Sequence, residues 1–143
     1  MDNEMKTFFV DEIKEIRKNM TMAISSLIES KMENNSGFET FGQLVDRIYG
    51  TAATLGLKEI SEYMKAVKDV SYMASASENE SGKKKTVKFL IKYVELSDQI
   101  CEAIYNTEEL AKINRLLNVE KSRAELLNRK EFFSVQKKSC DIE

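Results

Sequence analysis

Asp46, Arg47, Tyr49, Gly50 and Ala53 are the residues of this 143-residue sequence whose types and spacing come nearest to a site. Asp46, Tyr49, Gly50 and Ala53 stand at i, i+3, i+4 and i+7, so on a helix they share one face, displaced from the stripe of Val45, Ile48, Ala52 and Leu55. That face is expected to point to solvent, with Arg47 adjoining it. A carboxylate, a phenol and a side-chain-free gap suit binding better than bond-breaking. A glycine inside a helix costs about 1 kcal/mol relative to alanine, so Gly50 calls either for a tight helix contact or for an open approach by a partner. Tyr49 has two readings, an exposed interface anchor or a ring laid over the neighbouring helix.

Reactive chemistry is sparse elsewhere. The chain has no histidine, which removes Ser-His-Asp and Cys-His machinery, histidine-ligated zinc or haem, and Glu-x-x-His di-iron sites. Cys101 and Cys140 are too far apart for a metal pair or a disulfide framework and read as reduced thiols. The methionines are scattered over several segments, as gap-fillers are. No metal, no cofactor and no enzymatic activity are expected. Lys83, Lys84, Lys85, Lys88 and Lys92 form a basic cluster, but 24 acids against 22 bases leave the chain at −2. The cluster therefore reads as a solvated face, and neither nucleic acid nor membrane is an expected partner. A charged start without an apolar run behind it predicts no secretory signal and a cytoplasmic protein.

The elements that position these residues follow from punctuation. Proline is absent and glycine sparse, so long helices are interrupted only by polar clusters. Phe9, Ile13, Ile16, Met20, Ile24 and Leu27 give the first amphipathic stripe, ending near Asn34-Asn35-Ser36-Gly37. Ser36 and Glu39 have capping-box spacing, and the second stripe runs from Phe41 to Leu55, with Gly56 placed to stop it. Leu57, Ile60, Met64, Val67 and Val70 form a third, closed by Met73 or Ala74. A polar stretch from Ser75 to Gly82 reads as a mobile loop. The fourth stripe is Val87, Leu90, Ile91, Val94, Ile100, Cys101 and Ile104. Thr107 is the expected N-cap of a fifth helix through Leu110, Ile113, Leu117, Ala124 and Leu127.

The predicted fold is all-α, an up-down-up-down four-helix bundle with an additional C-terminal fifth helix. Residues 1–130 form a single domain, with a core of about 5–105 and the fifth helix over about 107–129. Residues 131–143, including Phe132 and Phe133, read as a frayed tail or a short docking segment.

The run Ile48-Tyr49-Gly50-Thr51-Ala52-Ala53-Thr54-Leu55-Gly56 resembles the histidine-containing phosphotransfer (HPt) domain, in the form found in chemotaxis-type sensor kinases. That family's pattern is His-x-hydrophobic-Lys-Gly-small-small-x-x-hydrophobic-Gly. Ile48, Gly50, Thr51, Ala52, Leu55 and Gly56 match it, and the likeness extends to the helix order and to Phe8-Phe9-Val10-Asp11-Glu12 on the first helix. The departures matter as much as the matches: Asp46 stands where the family has its phosphorylated histidine, and Tyr49 where it has a supporting lysine.

The resemblance implies a module that cannot relay phosphate but keeps the docking shape. An imidazole takes a phosphoryl group as a nucleophile, and none is present here. Acyl-phosphate chemistry on Asp46 would need a metal and positive groups beside it. The expected role is therefore binding to a response-regulator receiver domain or a histidine kinase through Asp46, Arg47, Tyr49, Gly50 and Ala53. The charge of Asp46 is expected either to be an ordinary solvated one or to imitate in part a phosphorylated state. A structural scaffold, a homodimer paired through the fifth helix, is the competing expectation.

Overall fold

Five helices make up the fold: α1 (Asn3–Glu29), α2 (Asn35–Thr54), α3 (Lys58–Ser75), α4 (Glu80–Ala103) and α5 (Thr107–Glu131). The computed structural model describes residues 2–33 and 35–133, and no strand occurs among them. The architecture is the all-α bundle that the apolar stripes require. Helices α1 to α4 close a ring in which each packs on its sequence neighbour and α4 returns to α1, while α5 lies along α3 and α4. Side-chain ties give the directions. Arg17 reaches Asp98 and Thr7 reaches Tyr105, so α1 and α4 run antiparallel.

The stripes are buried largely as their periodicity demands. Phe9, Ile13, Ile16, Met20 and Leu27 of α1 face Phe41, Val45 and Ile48 of α2 across a common core. Each such side chain contributes about 1.5–3 kcal/mol on leaving water. At the centre Tyr93 meets Phe41 edge-on at 5.9 Å between ring centroids and lies 5.7 Å from Tyr63. Both tyrosines are fully buried. Neither belongs to the expected stripes.

Several boundaries move. Helix α1 stops before the Asn35-Ser36-Gly37 cluster because Lys31 and Met32 adopt left-handed backbone at φ 55° and 66°. The Met32 amide then donates to Leu27 O and the Lys31 amide to Ile28 O, the paired bonds of a Schellman turn made without glycine. Ser36 lies inside α2 and not before it, which displaces the capping box. Asn34 lies outside the described residues. Gly56 stops α2 as expected, at φ 75°, with Leu57 N donating to Ala52 O and Gly56 N to Ala53 O.

Ala74, not Met73, completes the α3 stripe, and Ile91 is exposed at 40% and leaves the α4 stripe. The polar stretch 75–82 is not a loop throughout. Asn79 caps α4, its Oδ1 accepting from Gly82 N, and Ser77 is buried in the connection. The cap of α5 is likewise Asn106, not Thr107, accepting from the amides of Glu108 and Glu109. Asparagine holds both caps, at α5 one residue before the threonine that spacing favoured.

Helix α5 is a packed element. Ile113, Leu117, Ala124 and Leu127 are buried against the bundle, and Glu62 of α3 holds Lys121 at 3.2 Å. Its end is fastened as well. Phe132 is fully buried against Gly82, where an added Cβ would sit 2.8 Å from the ring. Asn79 Nδ2 donates to Glu131 O at 2.8 Å, and Lys85 Nζ donates to Glu131 Oε1 at 2.6 Å. The expectation that the tail begins at residue 131 is therefore corrected. Only Phe133 is exposed there, and residues 134–143, with Cys140, lie outside the described residues.

Candidate functional site

Helix α2 turns Val45, Ile48 and Ala52 inward, which fixes what its other side presents. Asp46, Arg47, Gly50 and Ala53 are exposed and Tyr49 is half-buried. The five residues singled out by type and spacing thus lie on the outer side of α2, in its last three turns.

Apart from its chain neighbours and the backbone of its own helix, Gly50 has no heavy atom within 4 Å of where a Cβ would stand. Of its two explanations, tight packing is removed. No helix crosses there, and the notch opens to solvent. Thr54 Oγ1 donates to Gly50 O at 2.8 Å, so the carbonyl at the notch has a second donor.

Tyr49 and Asp46 are joined by a residue that spacing along α2 cannot show. Lys68 of α3 places Nζ 3.1 Å from Asp46 Oδ1 and 4.7 Å from the centroid of the Tyr49 ring. The ring leans toward α3 under a cation, which favours the neighbouring-helix reading, and the residue as a whole is half-buried. The Lys68 side chain is 18% exposed and that of Asp46 54%. Burial acts most strongly on Lys68 and lowers its pKa, but the hydrogen bond and charge of Asp46, with Asp69 and Tyr49, outweigh it and hold the lysine above its ordinary range. Asp69, one residue on, is pushed up by burial, partly offset by Lys68 and Lys65.

Asp46 therefore carries a compensated charge, which argues against imitation of a phosphoryl group. Among the described residues no cluster of three acids or cysteines could hold a metal ion.

The other border of the site is α1. Thr51 Oγ1 donates to Glu12 Oε1 at 2.8 Å, and Arg47 Nη2 lies 3.8 Å from Glu15 Oε1. These ties set an antiparallel register that carries Phe8, one turn before Glu12, toward the C-terminal end of α2. Phe8 is 61% exposed, the one of two adjacent phenylalanines that is turned outward. It extends the candidate face with an aromatic group; the signal in the sequence was Phe8 lying outside the Phe9-Ile13-Ile16 stripe.

The lysine cluster divides. Lys83 is buried and faces a cleft shared with Glu33, Glu78 and Glu80, and Lys85 pairs with Glu131, whereas Lys84 and Lys88 are exposed. Among the described residues no helix is long and apolar enough to cross a membrane. No protein-family model, no curated protein and no solved structure matches the chain.

Proposed function

We propose that this chain is a phosphotransfer-like bundle without a phospho-acceptor, a non-catalytic module that binds a receiver domain or a histidine kinase and modulates a phosphorelay by occupancy. The observation that carries this reading is the open notch at Gly50, flanked by Tyr49 and Ala53 on an exposed helix face. An interior helical glycine with nothing packed on it destabilises the fold and is accounted for by a partner that approaches the backbone. The absence of histidine supports binding without transfer. Phe8 and Tyr49 supply the aromatic contacts that interface centres favour, and the Glu12, Glu15, Arg47 and Lys68 charges form a polar rim.

The test is binding of purified receiver domains and kinase catalytic domains from the source organism, measured by calorimetry against the native chain, Tyr49→Ala and Gly50→Arg. A complex lost in both variants is expected. Binding indifferent to both places the interface elsewhere, and transfer of label from a kinase and radiolabelled ATP onto this chain overturns the non-catalytic reading.

A self-associating scaffold is the second reading, favoured by Val119 and Leu126, exposed at 50% and 43% and seven residues apart on one face of α5. The buried stripe of α5 is already engaged with its own bundle, so any pairing uses this outer face. Light scattering on the native chain and on Leu126→Glu separates the two.

A further inference from the structure

The side of the bundle away from the α1–α2 face carries a groove of about 330 Å³ between α4 and α5. Its floor is Phe89, Leu126 and Leu127, of which Leu126 is 43% exposed and Phe89 half-buried. Its rim is cationic. Lys85 and Lys88 stand on α4, and Arg123 and Lys130 on α5, against the single acid Glu131. This basic rim sits on a chain whose net charge is −2.

The rim cations differ in what they do. Lys85 is held by Glu131 at 2.6 Å and Arg123 by Glu120 at 2.9 Å, so both serve the fold. Lys88 and Lys130 make no ion pair among the described residues. They stand on opposite sides of the apolar floor, one from each helix.

We infer that this groove binds an acidic amphipathic helix, its apolar residues on Phe89, Leu126 and Leu127 and its carboxylates on Lys88 and Lys130. Charge complementarity selects the sign of the partner, since unpaired ammonium groups on both walls disfavour a basic or neutral segment. Two helices lying side by side offer a trough that a third fills with anchors at i, i+3 or i+4, and i+7. The groove is distinct from the α2 face, so occupancy of one leaves the other free.

The experiment is display selection of random 16-residue peptides on the native full-length chain, followed by fluorescence polarisation of the enriched peptides. Enriched sequences are expected to carry net negative charge with apolar residues at helical spacing, and to bind more weakly as salt rises. Lys88→Glu with Lys130→Glu, and separately Leu126→Glu, are expected to weaken binding at least about tenfold, while Gly50→Arg leaves it unchanged. All three alter exposed positions, and circular dichroism confirms that each variant is folded.

Enriched peptides without negative charge, or equal binding by the charge-reversed variant, overturn the inference. So does binding abolished by Gly50→Arg alone, which assigns the peptides to the α2 face. Co-sedimentation with phosphatidylcholine vesicles containing phosphatidylglycerol, lost in the charge-reversed variant and without acidic peptides enriched, makes the surface a membrane contact instead. A dimer that Leu126→Glu makes monomeric assigns the groove to a second copy.

Discussion

The Lys68 ammonium reaches across from α3 to lie 3.1 Å from Asp46 Oδ1, so the acid at the most chemically suggestive position of α2 is half of an interhelical pair. The same ammonium rests over Tyr49. One cation thus organises two of the five candidate residues. A pair of this kind at a surface is worth at most about 1 kcal/mol, and a cation–π contact at an exposed site adds about 0.5–1 kcal/mol.

Lys68→Met is accordingly expected to lower stability by about 0.5–1.5 kcal/mol in urea unfolding. A double-mutant cycle with Asp46→Asn should return a coupling of about 0.5 kcal/mol between them. A coupling of zero would mean that the pair adds nothing to stability.

Gly50→Ala should raise stability by about 0.5–1 kcal/mol, because alanine is the better helix former and its methyl group meets nothing. Thermal or urea unfolding measures this directly. If stability falls instead, the notch is filled in solution and the proposed face is closed.

The alkaline limb of stability should report Tyr93. Burial raises its phenol well above the ordinary range, whereas the unfolded chain ionises its tyrosines near pH 10. Below about pH 10 both states are protonated and the contribution is constant. Above it the unfolded state loses protons that the folded state keeps, so stability declines with rising pH until the buried phenol itself ionises. Tyr93→Phe should flatten that decline in unfolding curves taken at intervals above pH 9.

Cys101 is a buried thiol raised to about 11, chiefly by burial. In a Cys140→Ser background, its reaction with iodoacetamide should be slow at pH 8 and accelerate toward pH 11 while the fold persists. Rapid alkylation at pH 8 would show an exposed, activated thiol and contradict its packing.

What could be read in advance was whatever lies within one helix. The face of Asp46, Tyr49, Gly50 and Ala53 and most of the buried stripes follow from the 3.6-residue period, and the stop at Gly56 from the left-handed backbone that glycine adopts freely. What could not be read depends on a second helix. Lys68 is an unremarkable lysine along α3 and acquires meaning only from the position of α2. Tyr63 and Tyr93 stand outside the expected stripes, and their burial is set by the aromatic centre that forms with Phe41. Phe132 follows Leu127 by five residues, off the helical stripe, and its pocket is made by Gly82 on another helix. The cap at Asn106 is masked by Thr107, which stands one residue on with two acids behind it, and the cap at Asn79 is masked by the polar run around it, which has the composition of a loop.

Asn79 receives the first turn of α4 and grips the last turn of α5 with the same side chain, linking residues 52 apart in sequence. Opening the end of α5 therefore frees the capping side chain of α4 from its anchor on Glu131 and uncovers Phe132, Leu127 and Ile113 in succession. The two helices should exchange their amide hydrogens as one cooperative unit, so that α5 behaves as part of the wall and not as a removable lid. Deleting residues 107–143 would consequently unroof the α3–α4 side of the bundle, and loss of assembly in such a truncation would report lost folding before it reported a lost interface.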